Sequence, residues 1–200
     1  MKSPHRLYFE EILRENKKFI KGLTLNVGGG TKPYRELAEK MIVMDLYEKT
    51  PSGKKTDLDI KADITKPFPF KTESFETVIC TQVLEHILTP QKVLNEIYRV
   101  LKQNGNLIFS VPFLERFHPD PKDYWRFTKE GIEELLKKFK IIKTIPVGGR
   151  YMWLLTFLYL HRQIPRFIVK LLYPLTKWLT KREKNKEKWT IGFFIVAKKV

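Results

Sequence analysis

Cysteine is nearly absent from this chain of 200 residues, with Cys80 the single one. A lone cysteine excludes a disulfide framework and a cysteine-ligated zinc module. Cys80 lies in the apolar run Thr77-Val78-Ile79-Cys80, where a small buried core residue is the expectation, and a reducing, cytoplasmic setting fits it. An apolar stretch long enough to span a bilayer is missing too: Tyr151 to Leu160 is too short before His161 and Arg162 interrupt it. The opening Met1-Lys2-Ser3-Pro4-His5-Arg6 leads into a polar amphipathic stretch without the apolar core of a secretory signal, so none is expected. The four histidines, His5, His86, His118 and His161, show no clustered ligand pattern, so no metal site is expected. There are no internal repeats.

Acidic residues are scarce, 22 Asp and Glu against 38 Lys and Arg, for a net charge of +16. The excess is uneven: residues 161–200 hold eleven Lys and Arg against Glu183 and Glu187. Such a balance suits an anionic partner (nucleic acid, an anionic membrane surface or a phosphorylated substrate) or simply a lysine-rich solvated surface. With 42% apolar content the chain can bury one good core, and a single domain over 1–200 is expected.

The order of segments is more specific. Residues 1–21 carry a helix over 3–20, with Ser3 as cap and Pro4 in the first turn. Strand-like runs follow at 23–28, 41–45, 59–63, 77–82, 106–111 and 140–147, and 190–197 closes the chain. Helical patterns lie at 33–40, at 90–102 with Val93, Leu94, Ile97 and Leu101 on one face, and at 128–138 after Thr128. Gly105 takes the position just past a helix end. Strands alternating with helices argue for parallel β-α units. Residues 150–188 break the rhythm as an apolar and basic helical insertion before the last strand. There Phe167, Ile168, Leu171, Leu172, Leu175, Trp178 and Leu179 share one arc, edged by Lys170, Lys177 and Lys181. An apolar arc edged by lysines is the pattern of an interfacial helix, so peripheral membrane contact through 151–182 is one expectation; a sheet cover or a dimer seam is the other.

The most informative local signal is Leu23-Thr24-Leu25-Asn26-Val27-Gly28-Gly29-Gly30, followed by Asp45 at the end of Met41-Ile42-Val43-Met44. A buried strand that exits through three glycines can turn tightly and let a ligand approach the backbone. A carboxylate at the end of the next strand sits where a ribose presents its hydroxyls. This is half of a nucleoside-cofactor site. A nicotinamide-binding domain would place a sixth-position glycine where Pro33 stands.

Further pieces occur in order: Leu25-Asn26-Val27-Gly28-Gly29-Gly30-Thr31, Asp45, Ala62-Asp63-Ile64, Pro67-Phe68-Pro69-Phe70, Ser74-Phe75-Glu76-Thr77-Val78, Val83-Leu84-Glu85-His86-Ile87 and Arg99-Val100-Leu101-Lys102-Gln103-Asn104-Gly105. Together they resemble the class I S-adenosylmethionine-dependent methyltransferases, over roughly 22–113 and again in the closing strand. The resemblance implies an α/β, Rossmann-like methyltransferase fold: a seven-stranded, mostly parallel sheet with helices on both faces and an antiparallel last strand. It implies S-adenosyl-L-methionine as cofactor. The positions it assigns to that cofactor are Asn26, Gly28, Gly30, Asp45, Leu46, Asp63, Ile64 and Gln82. Gly28 and Gly30 would pass under the methionine and ribose portion, Asp45 would accept from the ribose, Asp63 and the Ile64 backbone would meet adenine, and Gln82 would line the methionine end. Two positions depart from the family pattern, Asn26 where an acid is usual and Lys32 where a third glycine is frequent.

A second dense stretch, Val111 to Thr128, follows the fifth strand and resembles a His-x-x-Pro-x-Asp-Tyr-x-Arg-Phe-Thr pattern of many bacterial and archaeal methyltransferases. His118 is the expected base or acceptor orienter, with Asp123, Tyr124 and Arg126 positioning a polar acceptor. The competing expectation is a structural Asp123–Arg126 ion pair. The reading is a methyltransferase acting on oxygen of a small-molecule, sugar or lipid-linked acceptor, cytoplasmic with a membrane-associated alternative. Its rivals are a tRNA or other RNA methyltransferase, supported by charge and not favoured, and a non-catalytic binding protein that retains the fold.

Overall fold

The computed structural model describes residues 2–31, 34–49, 53, 55–119 and 122–200. Seven strands form one sheet: β1 (Leu23–Val27), β2 (Lys40–Asp45), β3 (Ile60–Lys61), β4 (Phe75–Thr81), β5 (Leu101–Pro112), β6 (Phe139–Val147) and β7 (Gly192–Lys199). Their spatial order is β3-β2-β1-β4-β5-β7-β6. Strands β1 to β5 pair in parallel, and β7 runs antiparallel between β5 and β6. The order reverses between β1 and β4, so the carboxyl ends of these two strands flank the crevice where open parallel sheets bind ligands.

Side-chain alternation sorts the core into two layers. Val78, Cys80, Leu107, Phe109, Phe193 and Ile195 belong to one cluster, while their neighbours Ile79, Ile108, Phe194 and Val196 belong to the other. A period of two on buried strands produces this split, and it obliges helices to cover both faces. On the first face lie α2 (Pro90–Val100) and the short α3 (Lys129–Leu135). Val93, Leu94, Ile97 and Val100 make the fully buried stripe of α2, at helical spacing and with Pro90 in its first turn. The other face is covered by α1 (Pro4–Glu15), through Tyr8, Phe9, Ile12 and Leu13, and by α4 (Arg150–Leu160), through Met152. The cysteine is a fully buried core residue, and burial pushes its thiol far up from the ordinary range.

Several expected boundaries move. The first helix ends at Glu15, where the Asn16 side-chain amide donates to Ile12 O (2.7 Å), and a 3₁₀ turn covers Lys17–Phe19. Ser3 makes no side-chain cap; its backbone carbonyl accepts from Leu7 N instead. Thr128 does cap its helix, accepting from Gly131 N at 3.1 Å. In place of the helix expected over 33–40, the described residues hold only a 3₁₀ turn at Arg35–Leu37. Tyr34 and Leu37 are buried in the same cluster as α1, so the N-terminal helix covers the sheet where a crossover helix would lie. The strand expected over 59–63 shrinks to two residues. Helix α2 stops at Val100 because Leu101 is extended and pairs with Phe75. Asn104 (φ 64°), rather than Gly105, takes the left-handed position; Gly105 is needed because a Cβ there would sit 2.8 Å from Lys102 O.

The insertion forms α4 and α5 (Arg166–Arg182). Val169, Thr176 and Thr180 form the buried stripe of α5, and Tyr173 donates to Glu11 Oε1 of α1 at 3.1 Å. The apolar arc itself points outward: Phe167 is 72% and Leu171 76% exposed, with Leu175 and Trp178 also exposed. Among the described residues no helix is long and apolar enough to cross a membrane.

Candidate active site

A cleft of about 990 Å³ opens at the carboxyl ends of β1, β2, β4 and β5, within the range of small-molecule sites. Gly28, Asp45, Leu46, Asp63, Ile64, Gln82 and His118 line it, together with residues from the start of α1. Six of the positions assigned to the cofactor and one assigned to chemistry, His118, therefore share this cavity, whereas Asn26, Gly30, Asp123, Tyr124 and Arg126 do not line it.

Of the glycine turn, Gly28 lines the cleft. Gly28 has φ +68°, and a Cβ there would meet Val83 Cγ2 at 2.7 Å, so both conformation and space demand glycine. Asp45 Oδ2 accepts from Gly30 N at 2.9 Å and Oδ1 from Tyr47 N at 3.2 Å. The carboxylate that lines the cleft thus also fixes the glycine turn. Asn26 is buried, its side chain directly beneath Gly29, where a Cβ would lie 2.2 Å from Asn26 Nδ2. It sits under the turn rather than along the cleft. Lys32 and Pro33 lie outside the described residues.

Asp63 accepts from Thr65 N (2.9 Å) and Thr65 Oγ1 (2.7 Å), which hold its carboxyl below the ordinary carboxylate range. Gln82 adopts a left-handed backbone (φ 54°) at the end of β4, with its N bonded to Ser110 O and its side-chain amide donating to Ser110 Oγ at 3.2 Å. A non-glycine residue in that region turns the chain sharply just before the 3₁₀ turn Leu84–His86.

The loop after β5 is fastened to that turn. Tyr124 N donates to Glu85 O (2.7 Å), Trp125 Nε1 donates to Ile87 O (2.9 Å), and His86 Nδ1 meets Lys122 O at 2.5 Å. Arg126 braces the loop from within. It pairs with Asp123 through both nitrogens (2.6 and 2.7 Å) and donates to the carbonyls of Glu115, Arg116 and Trp125. The Arg126 guanidinium bonded to Asp123 holds that carboxyl well below its ordinary range, and Asp123 in turn raises the Arg126 pKa. Asp123 Oδ2 also accepts from His118 N at 2.8 Å. Asp123 and Arg126 are thus engaged with each other and the loop backbone; they position His118. Tyr124 is partly exposed and reaches Glu85 through its backbone.

His118 meets two residues distant from it in sequence, His86 and Glu85. Its ring stands edge-on to His86 at 5.3 Å between centroids. Glu85, fully buried, has Oε1 3.8 Å from His86 Nε2 and 4.0 Å from His118 Nε2. One ligand atom from each of Glu85, His86 and His118 lies within 4.8 Å of the others. The expectation that the histidines do not cluster is corrected for these two. They are distant in sequence, and the parallel sheet brings the ends of β4 and β5 side by side. The available signal was the Glu85-His86 pair at the end of one strand and His118 after its neighbour.

A family model described as a methyltransferase domain matches residues 25–109, the span that holds the glycine turn, Asp45, Asp63, Gln82 and Glu85-His86. Residues 25–109 thus match the methyltransferase-domain family, in line with an S-adenosylmethionine-dependent methyltransferase. This methyltransferase is 28% identical over 151 residues to an uncharacterised protein of Methanocaldococcus jannaschii, covering 68% of this chain and 74% of that one. It is 37% identical over 111 residues to a second uncharacterised protein of the same organism, covering 52% of this chain and 48% of the other, so it spans about half of that relative's length. A solved S-adenosylmethionine-dependent methyltransferase from Archaeoglobus fulgidus shares the fold, with a TM-score of 0.65 over 98% of this chain and 94% of that one at 16% identity. The residues of the cleft fit the cofactor: glycine Cβ positions are already filled by neighbours, leaving backbone to face a ligand, and Asp45 supplies acceptors.

Proposed function

We propose that this methyltransferase methylates an oxygen of a small-molecule, sugar or lipid-linked acceptor. S-adenosylmethionine, when bound, supplies an electrophilic methyl group for in-line displacement. What the chain's residues must then do is hold an acceptor hydroxyl in line, keep water away and deal with its proton. The observation that supports oxygen is the cluster at the His118 end of the cleft. Both imidazoles face a buried carboxylate there with Nε2, while each Nδ1 lies against a backbone carbonyl, Lys122 O for His86 and Arg116 O (2.8 Å) for His118. A carbonyl only accepts, so each Nδ1 carries a proton and Nε2 is the ring nitrogen turned toward the carboxylate. Two imidazoles and a carboxylate held at that end suit a hydroxyl that must lose a proton.

The lipid-linked option is favoured over a fully soluble acceptor by the outward apolar face of α5, with Arg166 and Lys170 on the same helix. The test is S-adenosylhomocysteine formation against a panel of hydroxyl, amine and lipid-linked acceptors, with His118→Ala alongside the wild type. The expected outcome is turnover with hydroxyl acceptors and a fall of about 10²–10⁴ in kcat for the variant, its S-adenosylhomocysteine affinity unchanged. Turnover confined to amines, or an undiminished kcat in the variant, contradicts the proposal.

A further inference from the structure

We infer that Glu85, His86 and His118 form a binding site for one divalent transition-metal cation, zinc or a first-row neighbour, which grips the acceptor oxygen. The inference rests on the acceptor reading of the cleft and specifies how the hydroxyl is activated, through a cation rather than a free imidazole.

Four features carry it. The three ligand atoms converge within 4.8 Å, from two loops fastened together by backbone hydrogen bonds. The Nε2···Oε1 separations of 3.8 and 4.0 Å are too long for hydrogen bonds, and they lie within about 0.5 Å of the roughly 3.4 Å that separates two ligands on a tetrahedral ion, a gap that small side-chain rotations close. Both Nδ1 groups donate to main-chain carbonyls, the arrangement that fixes ring orientation and tautomer in metal-bound histidines. The Asp123–Arg126 brace further holds the His118 backbone through His118 N. Two imidazoles and one carboxylate select a borderline transition ion over magnesium or calcium, which take oxygen ligands.

Three protein ligands leave coordination positions open, and His86, His118 and Glu85 all line the cleft, so those positions face an acceptor. An acceptor hydroxyl bound there gives its proton to water as the cation stabilises the alkoxide. The O–CH3 bond then forms as the S–CH3 bond breaks, and S-adenosylhomocysteine is the leaving group. His86 and His118 stay ligands throughout.

The experiment is titration of the full chain, first stripped with chelator, with Co2+ read by its visible absorption, followed by Zn2+ competition. One equivalent of Co2+ per chain is expected, displaced by Zn2+, with affinity at least about tenfold weaker in His118→Ala and in His86→Ala. X-ray absorption of the Zn2+-loaded wild type, expected to show two imidazoles, serves where a variant fails to fold. No stoichiometric Co2+ binding, unchanged affinity in both histidine variants, or a coordination shell without imidazole overturns the inference. Calorimetry with S-adenosylhomocysteine and turnover in excess chelator separate the two proposals. Hydroxyl methylation that persists without metal overturns the cation and leaves the oxygen acceptor standing. One bound equivalent with turnover on amines alone leaves the metal-binding site standing and overturns its grip on an acceptor oxygen.

Discussion

Asp123 shows how much a single side chain can organise in this molecule. Its carboxylate, fully buried, pairs with Arg126 and accepts from His118 N, so one charge holds both the loop and the imidazole it presents. Because the folded pKa lies below the unfolded one, the stabilisation is complete above the ordinary carboxylate pKa of about 3.9 and is lost as pH falls from there toward the depressed value. We expect Asp123→Asn to lower stability by about 2 kcal/mol at neutral pH, about 5 °C in Tm. The gap between variant and wild type should narrow below about pH 4. Thermal unfolding at pH 7 and pH 3 checks this, and a gap that does not depend on pH counts against the brace. At this scale the glycine turn and Asp45 were legible in the sequence because their meaning is local: φ, missing Cβ and strand end. The convergence of Glu85, His86 and His118 was not, because it is created by the pairing of β4 with β5.

Among the elements, α2 could be read from Val93, Leu94 and Ile97, whose helical spacing leaves one way to bury them. The expected helix over 33–40 could not: α1 already covers that part of the sheet, and the chain needs only Tyr34 and Leu37 to complete the layer. For α5 the apolar arc was legible but its direction was not. The buried side is the Val169, Tyr173, Thr176, Thr180 stripe, because Tyr173 and Lys177 meet Glu11 of α1. That leaves Phe167, Leu171, Leu175 and Trp178 facing outward. If this face meets an anionic bilayer, the wild type floats with vesicles containing anionic lipid, and Leu171→Glu with Trp178→Glu abolishes flotation without lowering Tm, since neither side chain is buried. Flotation unaffected by the double variant, or none for the wild type, rules out this surface.

For the whole molecule, the sheet order explains why a charged and irregular set of loops forms one site. The crevice at the β1/β4 reversal takes the glycine turn from one side and the fastened loops after β4 and β5 from the other, while the start of α1 closes the cleft. The strand alternation made this α/β architecture legible in advance, and two-layer burial confirms it residue by residue. The covering of the β1–β2 side was not legible, since it depends on which helix reaches that face first. The net charge of +16 gives the chain as a whole an attraction for anions, screened within about 8 Å at physiological salt.

Asp45 anchors Gly30 N, and the proposed cofactor role of the cleft gives it a second task as ribose acceptor. Calorimetric titration of the full chain with S-adenosylhomocysteine, wild type beside Asp45→Ala, tests it directly. One equivalent is expected to bind the wild type, with affinity at least about tenfold weaker in the variant, the effect of losing hydrogen bonds to a charged group. A wild type that binds none, or a variant that binds equally well, would contradict it.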